Sequence, residues 1–174
     1  MSKLEMVRGL YGYNEWANNH VLAAATRLTD EEFSRKQGAS FESVEGNLAH
    51  IVGAQIIWFQ RWTVGTNPKS IMETQSIRGL AAIQDMFAQS HDGLRQFITS
   101  LTEQRLAEAL AYTDSRGNAN ERPMWQLMAH LANHGTHHRA ETAMAMGAMV
   151  KPMRELDYVF FELERDRGGE AGAS

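Results

Sequence analysis

Between Leu10 and Leu28, the residues Leu10, Asn14, Ala17, Val21, Ala24 and Leu28 recur at alternating steps of four and three. That spacing is the repeat of one face of an α-helix; a strand would place apolar residues at every second position. The rest of the chain must then bury this stripe against partners of the same kind. Asn14 is its only polar member. Such an interruption reads either as a satisfied buried amide or as a group reaching a polar cavity.

Further helices follow. The TDEE run at Thr29–Glu32 is a capping box that predicts a short turn or helix. A second long helix is predicted with Ser43 as N-cap, running to about Thr63 and presenting Val44, Ile51, Ala54, Trp58 and Trp62. The stretch from Val64 to Pro68 breaks it. A third helix spans about Ile77 to Thr99, with Leu80, Ile83, Phe87, Leu94, Phe97 and Ile98 as its apolar content. The segment from Leu106 to Arg122 holds a Ser-Arg-Gly-Asn turn and predicts a small hairpin or ordered loop. Pro123 suits the first turn of a fourth helix reaching about Met146. Gly147 ends that helix, Pro152 reinitiates, and Met153 to Glu164 reads as a short C-terminal helix. Residues 167–174 read as a flexible tail. Four long helices with only three prolines imply an all-α four-helix bundle, one domain over residues 1–166.

Charge and composition narrow the partners. The chain of 174 residues has a formal net charge of −4, and its basic residues form no run. Binding to a phosphate backbone needs a clustered Lys/Arg footprint, so nucleic acid is not an expected partner. No apolar run reaches the ~18 residues needed to span a bilayer, and the opening MSKLEMVRGLYGYNEW lacks a leader's apolar core. With no cysteine in the chain, thiolate ligands and disulfides are excluded. A cytoplasmic location fits these features.

Four of the seven histidines lie between His130 and His138. At ~100° per residue, with Met124 at zero, Leu127, Met128, Leu131, Met146 and Met149 fall within about 60° of that direction. His138 falls at about −40° and His134 at about −80°, whereas His130 and His137 fall at about −120° and −140°. His134 and His138 therefore lean toward the core. They sit ~6 Å apart along the axis, close enough to share an ion, whereas His130 and His138 are ~12 Å apart. A third ligand must come from another helix, and His50, beside Ala54 and Ile57, is the best placed. His91 lies in the polar run Gln89 to Gly93, and His20 sits at the flank of the first stripe. A single such imidazole is more often a hydrogen-bonded packing residue than a ligand, so the reading rests on the set. Neither HExxH nor a pair of ExxH motifs occurs, which argues against a zincin and a ferritin-like di-iron site.

Three stretches carry a likeness to a known family: YNEWAN at Tyr13–Asn18, NLAHIVGAQIIWF at Asn47–Phe59 and PMWQLMAHLANHGTHHR at Pro123–Arg139. On these the chain resembles the DinB/YfiT-like metal-binding four-helix superfamily. The resemblance implies an up-down-down-up bundle, usually a homodimer, with one divalent metal held by three histidines. Carried over by position, these are His50, His134 and His138. His137 then faces away from the ion, and His130 is structural or supports a ligand.

Three neutral imidazoles with an open position form the catalytic rather than the structural pattern for zinc, and imidazole suits nickel equally. The expected cofactor is thus one zinc or nickel ion. Such a site would activate water, or ionise a low-molecular-weight thiol that must come from outside. The resemblance favours the thiol, because relatives include thiol-dependent S-transferases and an isomerase. The alternatives are a non-enzymatic metal-binding or stress-response protein and, least compatible with the charge, a DNA-repair role. Glu141, three residues after His138, is placed to accept that ring's free N–H; the competing reading is a solvated carboxylate near Arg139. Asn14 is the other candidate supporting residue. The expected partners are a small-molecule substrate and a second copy of the chain.

Overall fold

The structure, a computed structural model, describes residues 1–38, 40–65, 77–114 and 116–171. In chain order these form α1 (Lys3–Ala25), α2 (Asp30–Ser34), α3 (Val44–Thr63), α4 (Leu80–Ser100), α5 (Glu103–Ala107), β1 (Ala109–Thr113), β2 (Ala119–Pro123), α6 (Met124–Ala148) and α7 (Tyr158–Ala171). The protein is thus mostly helical with one antiparallel hairpin, whose register runs from Ala109 opposite Pro123 to Thr113 opposite Ala119. Among the described residues no helix is long and apolar enough to cross a membrane.

Helix starts follow side-chain caps. Ser2 and Glu5 form a reciprocal capping box that begins α1 well before Leu10. Thr29 and Glu32 do the same for α2. The Ser43 hydroxyl accepts from the Gly46 N–H at the predicted start of α3. The five-residue α5, capped by Thr102, was not anticipated from periodicity. Pro123 closes β2 and caps α6 instead of lying in its first turn. Gly147 does not end α6 either; the turn falls on Val150, at φ 57, which an exposed valine adopts at a steric cost. Part of the predicted break after α3, residues 66–68, lies outside the described residues; the tail expected over residues 167–174 continues the last helix as far as Ala171, and 172–174 lie outside the described residues.

The last helix begins at Tyr158, not Met153. Arg27 explains the delay, because its Nη2 donates to the Pro152 carbonyl at 2.6 Å and Lys151 Nζ donates to the Arg27 carbonyl at 3.0 Å. These bonds hold the chain after α6 as an extended strap. Then α7 packs its aromatic face across α1, where Gly12 leaves room for the Phe161 ring at 3.1 Å from a would-be Cβ.

Each long helix packs against two others: α1 and α3 both contact α4 and α6. Two separate apolar clusters result. One joins Val7 and Tyr11 of α1 to Trp58 and Trp62 of α3, Leu94 and Ile98 of α4, and Met124 to Leu131 of α6. The other joins Val21 to Ala25 of α1, Val44 to Val52 of α3, Ile83 and Phe87 of α4, and Ala145 and Met146 of α6.

Between the clusters runs a polar belt. Arg139 Nη1 donates to Asn14 Oδ1 at 2.7 Å and to Asn18 Oδ1 at 2.9 Å. The Asn18 amide meets His91 Nε2 at 3.2 Å. His91 is therefore core, continuing the buried series Ile83, Phe87, Leu94 and Ile98. Burial pushes its pKa down to about 4, aided by Arg95 and opposed by Asp92. The unfolded chain, with histidine near ~6.5, then binds the proton first as pH falls. The His91 contribution is complete above that value and is lost between about 6.5 and 4, a loss of roughly 3 kcal/mol. His91→Gln keeps an acceptor for Asn18, so its midpoint in denaturant should depend less steeply on pH across that window. An unchanged slope would show that His91 is not responsible.

Candidate metal centre

The helical repeat of α6 puts His134 and His138 on consecutive turns facing α3, where His50 faces back. The Nε2 atoms of His50 and His134 stand 3.0 Å apart. The ring of His138 lies 4.6 Å from that of His50 and 4.5 Å from that of His134, centroid to centroid. One ligand nitrogen from each of the three lies within 4.8 Å of the others, so the group could hold a metal ion. Two nitrogens bound to one ion at ~2.05 Å stand about 2.9 to 3.3 Å apart for angles between ~90° and the tetrahedral value. The His50–His134 separation fits that range. Two neutral imidazoles meeting nitrogen to nitrogen must otherwise share one N–H, whereas a cation accepts both lone pairs.

The electrostatics point the same way. Burial, and then the neighbouring imidazoles, push the pKa of His50 down to about 3 and that of His134 to about 4. Both rings are neutral near pH 7, the state a ligand must reach. His138 is buried, and its Nδ1 lies 2.8 Å from Glu141 Oε2, which leaves Nε2 as the nitrogen free to face an ion. Burial alone would raise the Glu141 carboxyl, but hydrogen bonds from Ser40 and His138, with both nearby imidazoles, hold it below its ordinary value. A carboxylate behind a ligating histidine fixes the ring and raises its basicity. Glu141→Ala should therefore weaken zinc or nickel binding about 10- to 100-fold, measured by competition with a chromogenic chelator. Unchanged affinity would reduce Glu141 to a surface carboxylate.

A residue that periodicity cannot flag closes one side of the site. Phe41, in the loop between α2 and α3, stacks on His50 at 3.7 Å between centroids and meets His138 edge-on at 5.3 Å. Its loop is tied down by Ser40, whose hydroxyl donates to Glu141 Oε1. Loop aromatics carry no repeat, so the only signal was a lone Phe in a polar run.

The other candidates lie elsewhere. His130 is exposed with its ring edge against Trp58 at 5.6 Å, outside the three-nitrogen group. His137 is exposed, and its Nε2 lies 3.4 Å from Glu141. His20 packs on Trp16. Asn14 is buried but bonds Arg139, not the histidines. Arg139 itself, 2% exposed, was hidden in the sequence as a charged residue beside Glu141.

Comparison with known proteins identifies the family. The chain is 22% identical over 142 residues to the Bacillus subtilis (strain 168) protein named DinB, an alignment covering 78% of this chain and 81% of that protein. Residues 1–167 match the DinB family. A match spanning nearly all the described helices, His50, His134 and His138 included, means that this chain belongs to the DinB family.

Proposed function

We propose that the protein is a metal-dependent bundle enzyme in which His50, His134 and His138 hold one zinc or nickel ion with a coordination position left for a small molecule. The observation that carries this reading is the approach of His50 Nε2 to His134 Nε2 at 3.0 Å with His138 alongside. When bound, such an ion lowers the pKa of a water toward ~7 and ionises a thiol outright. The chain's own contribution is to present three neutral nitrogens, hold the His138 ring through Glu141 and shield one side with Phe41. The chain has no cysteine, so an S-transferase-like reaction takes its thiol from solution; a hydrolase-like reaction needs only water. The helix ends grouped in each apolar cluster support an up-down-down-up path for α1, α3, α4 and α6. The exposed Tyr158, Val159 and Leu163 of α7 support a homodimer, which sedimentation tests. A cytoplasmic location completes the reading.

The shielding by Phe41 favours a second reading, a metal-binding or stress-response protein whose ion is closed off from substrate. One experiment separates the two. The untagged protein is analysed for metal, reconstituted with zinc or nickel, and mixed with small thiols while thiolate absorbance in the ultraviolet is followed. Near-stoichiometric metal with thiolate formed only by the loaded protein supports the enzyme. Metal without thiolate, and without turnover of activated esters, supports the closed site. No metal after reconstitution defeats both.

A further inference from the structure

Arg139 sets the direction of two buried amides. Its Nη1 donates to Asn14 Oδ1 and to Asn18 Oδ1, so the Nδ2 group of each amide is left to donate elsewhere. Asn18 Nδ2 lies 3.2 Å from His91 Nε2 and has only N–H bonds to give, so Nε2 accepts. The His91 ring is neutral near pH 7, because burial pushes its pKa down to about 4, and it therefore carries its proton on Nδ1. Neither that Nδ1–H nor the Asn14 Nδ2–H meets an acceptor among the described residues, and neither nitrogen is sealed from solvent.

Both residues line one cavity of about 300 Å³ between α1 and α4, away from the histidine centre between α3 and α6. The Tyr11 ring, Leu94 and Ile98 give it apolar walls, and the Tyr11 hydroxyl is already engaged by the Met128 carbonyl at 3.2 Å. Asn14 and His91, 2% and 5% exposed, form the floor, and the exposed Arg8 and Arg95 stand at the mouth with Glu15. Arg95 is shared by Glu15 and Asp92. Behind Asn14, the Arg139 cation is hydrogen-bonded, among the described residues, to neutral groups only: the two amides, the Thr136 hydroxyl and Tyr13.

Two N–H donors beneath apolar walls call for an acceptor oxygen on an apolar body, whereas an ammonium group would set N–H against N–H. The Arg139 charge, passed forward through the polarised Asn14 amide, and Arg8 at the mouth favour an anionic acceptor over a neutral one. The volume admits one ring or branched chain with its carboxylate. We infer that this cavity binds a small apolar monocarboxylate, whose oxygens accept from Asn14 Nδ2–H and His91 Nδ1–H. Nothing in it depends on the metal centre.

The ¹⁵N-labelled protein as purified is titrated with benzoate, benzamide and benzylamine while the His91 ring nitrogens, assigned by their loss in His91→Gln, are followed. Before any addition the proton should sit on Nδ1. Benzoate should then give a saturable shift, benzamide should bind at least fivefold more weakly, and benzylamine should not bind. Asn14→Asp keeps an oxygen for Arg139 and replaces the donor with a second oxygen, so it should fold and lose benzoate binding. Arg8→Glu, on the exposed rim, should weaken benzoate at least threefold and decides alone if Asn14→Asp fails to fold. The inference is overturned if the proton sits on Nε2, if benzoate gives no saturable shift, if benzamide or benzylamine matches it, or if the folded variants bind benzoate as the unaltered protein does.

Discussion

If His50, His134 and His138 hold the ion as proposed, zinc or nickel should stabilise the unaltered protein thermally, and replacing His134 with alanine should remove that stabilisation. An ion present at a hundred times its dissociation constant adds about 2.7 kcal/mol to the folded state. For a chain of this size that raises Tm by roughly 5–10 °C. His134 supplies the nitrogen closest to His50. Its loss leaves two imidazoles, and since removing a mere supporting partner already costs about 10- to 100-fold, losing a ligand should exceed that range. The variant should therefore melt at one temperature with or without metal. Its metal-free Tm is expected to stay near that of the unaltered protein, because the ring it loses is only partly buried. Calorimetry with and without a chelator measures both. A metal-induced shift as large as in the unaltered protein would remove His134 from the centre.

Gly46→Ala should have the larger effect on the fold itself. Alanine favours a helix over glycine by about 1 kcal/mol, so an ordinary helical site would gain stability. At Gly46, however, the new Cβ would lie 2.1 Å from the Phe41 carbonyl oxygen and 3.1 Å from its carbon. The obstacle is backbone, which no rotamer change relieves. The loop must lift, taking the Phe41 ring off His50 and Ser40 off Glu141. A net loss of about 2–3 kcal/mol is expected, read as a fall of roughly 5–10 °C in Tm. Gly147→Ala is the matched control, because nothing lies within 4 Å of its Cβ position. That variant should gain up to ~1 kcal/mol. If both variants are stabilised, the Phe41 loop is not seated as described.

The long helices were legible because their signals are local. Ser43 fixed the start of α3, and steps of three and four placed His50, His134 and His138 on facing stripes. The residues that escaped depend on distant partners. His91 is flanked by Gln89, Ser90, Asp92 and Gly93, so its neighbours suggested solvent although its own position continues the Phe87–Leu94 stripe. Arg139 was masked by the rule that arginine stays wet. Its burial depends on Gly135, where a Cβ would sit 2.7 Å from Asn14 Oδ1 and 2.8 Å from Arg139 Nη1, a packing fact with no sequence signature. The strap after α6 escaped for the same reason, since Pro152 is a plausible helix start until Arg27, far away in sequence, binds its carbonyl.

The polar belt also restricts how the bundle can misassemble. Two greasy layers alone would tolerate α1 sliding along α6 by one turn, about 5.4 Å, with leucine and valine side chains trading places. Here such a slip carries Asn14 and Asn18 off Arg139 and strands a cation in hydrocarbon, a penalty on the order of 3–5 kcal/mol. Shifted alignments of α1 on α6 are thereby priced out of the ensemble, and α6 keeps one register against α1 through the residue that directly follows His138.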